Sequence, residues 1–355
     1  MAFRGFSRRD VTKSLSAFGL ASLAGGTATR ALPASSSVTP ELIAAAVKEG
    51  KVVWYTAVDL PVAERVAKAF EAKYPGIAMR VERTGGERIF QRIAQEQSSK
   101  INAVDVVNSS DAAHFIVWKR EGLLAAYVPD DVAKFYPDEH RDPDGMFASW
   151  RIWLCPIGYN TKLVKPEDAT KSYADLLDPK WAGKMVKAHP GYSGSIMTST
   201  FQMARDLGWE YLEKLSKQRI MQVQSASDPP KKLALGERAV MVDGNDYLLI
   251  QMQEKGEPVA IVYPTEGTPL IVGPSGVFKN GPNPNAARLL QSYMFSLEGQ
   301  QMIVDFGGLK SAHSGVKEPA GRTPLSKIKT MKDDPVAVEK QADEIKAKYA
   351  KYFKV

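Results

Sequence analysis

"KVVWYTAVDLPVAERVAKAFEAKY", residues 51–74, opens with a β-rich apolar run and then repeats apolar residues at helical spacing through Val62, Val66 and Phe70. A strand therefore runs into a helix across the short turn Ala57–Asp59. The unit recurs in "IAMRVERTGGERIFQRIAQEQ" (77–97), with Thr84, Gly85 and Gly86 at the junction and a helix starting near Glu87. It recurs again in "AVDVVNSSDAAHFIVWKREG" (103–122), where Asn108, Ser109 and Ser110 are cap-type residues before a helix. Three such units in succession argue an α/β fold with a doubly wound parallel sheet and helices on both faces.

The rhythm breaks at "GMFASWRIWLCPIGYNTKLV" (145–164), a long extended segment that leads into a second domain. That domain is expected to hold the strand "KMVKAH" (184–189), a helix after the Gly/Ser-rich turn 191–195, helices near 208–217 and 229–236, and the strand "IMQVQSAS" (220–227). It also holds "AVMVDGNDYLLIQ" (239–251), a strand that breaks at Gly244 and restarts as a helix carrying Tyr247. A second extended piece, 258–278, returns to the first domain. An amphipathic helix over 283–307 and a charged helix over the last 25 residues, packed on the outside, complete the chain.

The chain has 355 residues, 25% charged and 44% hydrophobic, room for two domains of moderate size. Arg4, Arg8, Arg9 and Lys13 precede an apolar run from Leu15 to Gly26 and a small-residue zone near 28–34. That order describes a cleaved export signal, and "SRRDVTK" (7–13) resembles the twin-arginine signal. Removing 1–34 takes away five basic and one acidic side chain, which lowers the formal charge from +7 to +3. No nucleic-acid footprint remains. Cys155 is the sole cysteine, so no intramolecular disulfide forms and no lipid anchor follows the apolar run. A soluble, monomeric periplasmic protein is the expectation.

In a doubly wound sheet, ligands bind outside the carboxyl ends of the strands, where helix amino termini direct unpaired N–H groups. The junctions place Thr56, Ala57, Asp59, Thr84, Gly85, Gly86, Arg88, Ser109, Ser110 and Asp111 there from the first domain. From the second come Gly191, Tyr192, Ser193, Gly194, Ser195, the turn Ser225–Asp228, and Asn245, Asp246 and Tyr247. Two such sets facing across a hinge would enclose a small anion, with Arg83 or Arg88 adding a charge-assisted bond. For any one of these residues, a cap or turn role is the competing explanation.

"LLDPKWAGKM" (176–185), "PIGYNTKLV" (156–164) and "NPNAARLLQSYMFSLEGQQMI" (283–303) resemble the periplasmic solute-binding proteins of ABC importers, in the branch that includes iron(III) binders and binders of small phosphorylated or phosphonate solutes. The likeness covers about 38–310. It implies a two-lobed type II periplasmic binding protein fold, each lobe a doubly wound mixed sheet, joined by two crossing strands near 150–158 and 260–270. Lobe 1 would be 38–153 and 265–305, and lobe 2 154–264 and 306–355. It implies hinge closure on a small anionic solute and docking on membrane permease subunits, with no catalysis and no cofactor. Carried over from the iron-binding members, the tyrosine pair falls on Asp246 and Tyr247, and the histidine on Asp59. An all-oxygen cage of Tyr247, Asp246 and Asp59 is the alternative, a hard-metal site.

Enzymatic readings fare poorly. "GYSGS" (191–195) puts Ser195 where a nucleophile elbow needs its second glycine, and the four histidines show no HExxH spacing. No Gly-rich phosphate loop with its lysine follows the first strand.

Overall fold

Residues 33–355 are described by the computed structural model, and the export-signal expectation over 1–34 lies, but for its last two residues, outside them. In chain order they form α1 (Pro40–Glu49), β1 (Lys51–Thr56), α2 (Leu60–Lys73), β2 (Ala78–Arg83), α3 (Gly86–Ser98), β3 (Val106–Asn108), α4 (Ala113–Arg120), β4 (Leu124–Ala125), α5 (Asp130–Phe135) and β5 (Ala148–Leu154). These continue as β6 (Ile157–Asn160), β7 (Met185–Ala188), α6 (Gly194–Leu207), α7 (Trp209–Ser216), β8 (Met221–Val223), α8 (Asp228–Ala234), β9 (Val240–Met241) and α9 (Asp246–Glu254). The last are β10 (Val259–Val262), β11 (Thr268–Phe278), α10 (Pro284–Phe295), α11 (Leu297–Asp305), β12 (Thr330–Met331) and α12 (Pro335–Phe353).

Local chemistry sets the element ends. Thr39 caps α1 by accepting from the Leu42 N–H, Pro40 supplies a preset φ in its first turn, and Gly50 ends it at φ 71°. α2 buries Val62, Ala63, Val66, Ala67 and Phe70, one stripe of its surface. Each large apolar side chain so covered contributes roughly 1.5–3 kcal/mol before entropy is counted.

Two mixed sheets result. The first runs β12-β11-β3-β1-β2, with β4 and β5 also on β11. Its β1, β2 and β3 are parallel, and β11 is antiparallel to β3. The second runs β10-β6-β9-β7-β8, with β7 parallel to β8 and β9 and β6 antiparallel to its neighbours. Each sheet has its own apolar core, around Trp54, Phe70 and Leu290 in the first and Tyr173, Leu212 and Val240 in the second.

The chain passes between sheets twice. β5 ends at Leu154 and β6 begins at Ile157, while β10 ends at Val262 and β11 begins at Thr268. The two passages lie side by side, since Leu154 pairs with Leu270 and the Cys155 N–H donates to the Pro269 carbonyl at 2.9 Å.

Two expectations for the carboxyl-terminal region need correction. The single helix over 283–307 is two helices, because Ser296 leaves the helical backbone and its hydroxyl caps α11 by accepting from the Gly299 N–H. A Cβ at Gly299 would stand 2.3 Å from the Tyr293 carbonyl, so only glycine allows that turn. Residues 306–355, placed with the second lobe from sequence, touch both. β12 pairs with β11, and Val338 and Ile345 of α12 join Ala113 of α4 with Met197 and Phe201 of α6 in one buried cluster. Tyr349 in α12 donates to the Gln222 side-chain carbonyl at 2.7 Å, and Arg120 of α4 donates to Glu339 at 3.1 Å. The long helix therefore spans the seam.

Candidate functional site

The carboxyl ends of β1, β2 and β3 face those of β7, β8 and β9 across a narrow cleft. Its walls are Ala57, Arg83, Gly85, Gly86, Ser110 and Arg151 on one side. The other wall carries Tyr192, Ser193, Ser195, Ser225, Ala226, Ser227, Asn245 and Tyr247. The cavity between them is ≈ 20 Å³, about the room of one water. The walls touch: a Cβ on Gly85 would lie 2.9 Å from the Tyr192 carbonyl, and one on Gly194 would lie 2.7 Å from Asp111 Cβ. Arg88, exposed at the rim, donates across the cleft to the Gln224 side chain at 2.9 Å.

Three helices begin at this cavity. α3 starts after Gly85, α6 after Ser193 and α9 after Asn245, and none of these cap residues closes its own helix with a side-chain bond. The first-turn N–H groups thus receive no side-chain cap, although in α9 the Leu248 N–H donates to the Asn245 carbonyl at 3.3 Å, and the positive dipole ends converge.

Arg151 is the charge at the centre, and it is 1% exposed. β5 delivers it from "SWRIWL", and its guanidinium stacks 4.2 Å over the Trp153 ring and donates from Nε to Asn108 Oδ1 at 3.3 Å. Its Nη2 is buried with no hydrogen-bond partner among the described residues. Burial pulls its pKa down to about 10, the Tyr247 phenol opposes that, and the Arg83 charge adds to it. Gly273 leaves the space it needs, since a Cβ there would meet Trp153 at 2.8 Å and Arg151 Cγ at 3.1 Å. Arg151 lies outside every strand-to-helix junction, in the middle of β5. Its signal in the sequence is a lone basic residue inside an apolar strand, a placement that costs free energy unless a partner arrives.

Tyr247 is 1% exposed and its hydroxyl accepts from Asn245 Nδ2 at 3.0 Å. Asn245 Oδ1 in turn accepts from the Trp153 indole N–H at 3.0 Å, which fixes the amide. Burial pushes the Tyr247 phenol up to about 12, only partly opposed by Arg151.

Other residues singled out from sequence stand back from the cavity. Thr56 donates to Asn108 Oδ1 at 3.2 Å and accepts from the Val58 N–H. Ser109 sits 2.7 Å from His114 Nδ1. The Thr84 N–H donates to the Thr56 carbonyl, and Asp59 occupies the residue before α2. Asp246 needs the plainest correction. Its Oδ1 accepts from the Leu154 N–H at 3.0 Å, toward the crossing strands, and it does not line the cavity. Neighbours on a helix point about 100° apart, so Asp246 and Tyr247 do not converge.

Asp246 carries a pH signature. Burial raises its carboxyl from 3.8 to about 7, and its Oδ2 is buried without a partner among the described residues. The folded state then holds a proton that the unfolded state releases, so this contribution is complete below the unfolded value and is lost as pH rises toward 7. The slope is about 1.4 kcal/mol per unit within that window. Asp246→Asn keeps the acceptor for Leu154. Its melting temperature is expected to overtake that of the parent chain progressively between pH 4 and pH 8, and a constant difference across that range would contradict the assignment.

The chain belongs to the family of bacterial extracellular solute-binding proteins, whose model matches residues 102–329. Its two-sheet architecture is the two-lobed type II periplasmic binding protein fold. It is 24% identical over 215 residues to a probable ABC transporter periplasmic-binding protein of Sinorhizobium fredii, covering 57% of this chain and 58% of that one. Among solved structures it matches the periplasmic binding protein AfuA of Actinobacillus pleuropneumoniae with fructose-6-phosphate bound, at a TM-score of 0.79 and 23% identity, over 86% of this chain and 99% of that one. It also matches iron-bound HitA of Pseudomonas aeruginosa, at a TM-score of 0.73 and 22% identity, over 85% and 99%. Members of this family work with ABC permease components and a small solute, and the family's place is outside the inner membrane. No helix among the described residues is long and apolar enough to cross a membrane.

Proposed function

We propose that the protein captures a small organic anion, a phosphate ester, phosphonate, sulfonate or carboxylate, and passes it unchanged to the permease. The observation that carries this reading is the buried Arg151 guanidinium with an unpartnered Nη2 inside the cavity. An isolated buried cation is costly, and an anion accepting from that nitrogen and from the amides starting α3, α6 and α9 would offset the cost. Ser110, Ser193, Ser195 and Ser227 would complete the shell. The present gap holds about one water, so entry requires the lobes to part about the paired crossing strands, and closure then gains its affinity from contacts made by both walls.

Ferric capture is the second reading, favoured by the Tyr247 phenol at the cavity and by the iron bound to HitA. The Tyr247 phenol holds its proton tightly, the second tyrosine of the walls, Tyr192, is exposed, and Arg83 and Arg151 oppose a cation at that place. Thermal-shift screening of the refolded, ligand-free mature chain against phosphate esters, phosphonates, sulfonates, carboxylates and ferric citrate tests both. Stabilisation by organic anions is expected. Stabilisation by ferric salts alone, with a tyrosinate charge-transfer colour, would establish the second reading instead. Tyr247→Phe is expected to weaken anion binding by about 1 kcal/mol, near fivefold, as for one lost hydrogen bond. A loss of several orders of magnitude would mean metal ligation.

A further inference from the structure

A second cavity, ≈ 350 Å³, opens beneath α12 where α3, α4 and α6 meet it. Glu87, Asp111 and His114 line it, all buried, each offering one ligand atom within 4.8 Å of the others. His114 is oriented from both sides, with Nδ1 2.7 Å from the Ser109 hydroxyl and Nε2 3.0 Å from Glu87 Oε1. The Phe90 ring stacks on it at 4.6 Å. Asp111 uses Oδ1 to accept from the Ala113 N–H at 2.9 Å. Its Oδ2 has no hydrogen-bond partner among the described residues, although the side chain is only 3% exposed and lines the cavity.

We propose that Glu87, Asp111 and His114 form a site for a divalent transition-metal ion, separate from the solute cleft, with cavity water completing the coordination. Two ligand atoms about 2.0–2.2 Å from one ion stand roughly 3.0–3.5 Å apart, and the Nε2–Oε1 separation already falls at that value. The ion would replace the proton those two atoms now share. With Nδ1–H donating to Ser109, the ring would turn the Nε2 lone pair to the ion, the arrangement that holds ligating histidines in metal sites. One imidazole and two carboxylates suit Mn²⁺, Co²⁺ or Zn²⁺ and disfavour softer ions.

Lys346 of α12 is the built-in competitor. Its ammonium lies 3.1 Å from Glu87 Oε2, and its side chain is 36% exposed, so it can swing out toward solvent.

The test is calorimetric titration of the mature chain, stripped by chelation and free of solute, with Zn²⁺ and Mn²⁺, plus Co²⁺ monitored by its visible absorption. One equivalent is expected. Asp111→Asn and His114→Gln should each weaken uptake about 10- to 100-fold, and His114→Gln should alter the Co²⁺ bands. Lys346→Met should tighten uptake, and Arg151→Met should leave it unchanged, which separates this site from the cleft. Circular dichroism of the metal-free variants identifies any that fail to fold, in which case the remaining variants decide. No saturable uptake by either the parent chain or Lys346→Met would overturn the proposal, as would uptake indifferent to His114→Gln and Asp111→Asn.

Discussion

Arg151→Met is expected to weaken capture of the anionic solute by about 10²–10³-fold while leaving the solute-free protein as stable as its parent, or more stable. The two halves of that result have one cause. Truncating one partner of a buried, hydrogen-bonded charge pair costs about 2–5 kcal/mol in the complex. In the free protein the same guanidinium is 1% exposed and its Nη2 has no partner among the described residues. An apolar side chain of similar volume removes that desolvation cost. Arg151→Lys keeps the charge and loses the planar fork, so an intermediate loss near tenfold is expected. Isothermal titration and thermal melts on the same preparations measure both quantities. Parallel loss of affinity and stability would mean that Arg151 only packs against Trp153, and unaltered binding would remove the anion from this place.

Gly85→Val is expected to abolish closure. The added Cβ would stand 2.9 Å from the Tyr192 carbonyl. That atom is backbone and cannot turn aside as a side chain end would, so the walls must separate. Gly85 has φ −65°, an ordinary conformation for valine, and the substitution burdens the closed form without straining its own lobe. A bias of about 3 kcal/mol against the closed state lowers apparent affinity about 100-fold. Small-angle scattering should show a larger radius of gyration that solute no longer reduces. A compact Gly85→Val protein with unchanged affinity would mean that the walls meet elsewhere.

Much of the architecture was legible because strand-to-helix units repeat. β1 with α2, β2 with α3 and β3 with α4 each announce themselves by a change from period two to period 3.6, and the turns between them supplied Gly85, Gly86 and Ser110. Tyr192, Ser193, Ser195, Asn245 and Tyr247 were legible for the same reason. Thr56 and Ser109 look identical to them in sequence, but whether a hydroxyl faces the cleft or its own sheet depends on a neighbour, Asn108 or His114, that periodicity does not reveal. Asp246 shows the same limit: a helix start fixes where the residue lies, and only the crossing strand fixes what its carboxylate bonds. Arg151 escaped because strand patterns report apolar faces. Its meaning emerges only once the fold leaves its Nη2 without a partner among the described residues at the cavity.

The resting place of the terminal helix has a thermodynamic corollary. α12 is anchored by Tyr349 beside β7 and β8 and lies through Val338 and Ile345 against Ala113 of α4, so the proposed opening would have to peel one flank away. On that reading, those distant aliphatic contacts would act as a preload on the hinge. Trimming Val338 or Ile345 would reset the equilibrium between shut and gaping forms, about tenfold for each 1.4 kcal/mol, and retune retention of cargo without altering any atom that meets it.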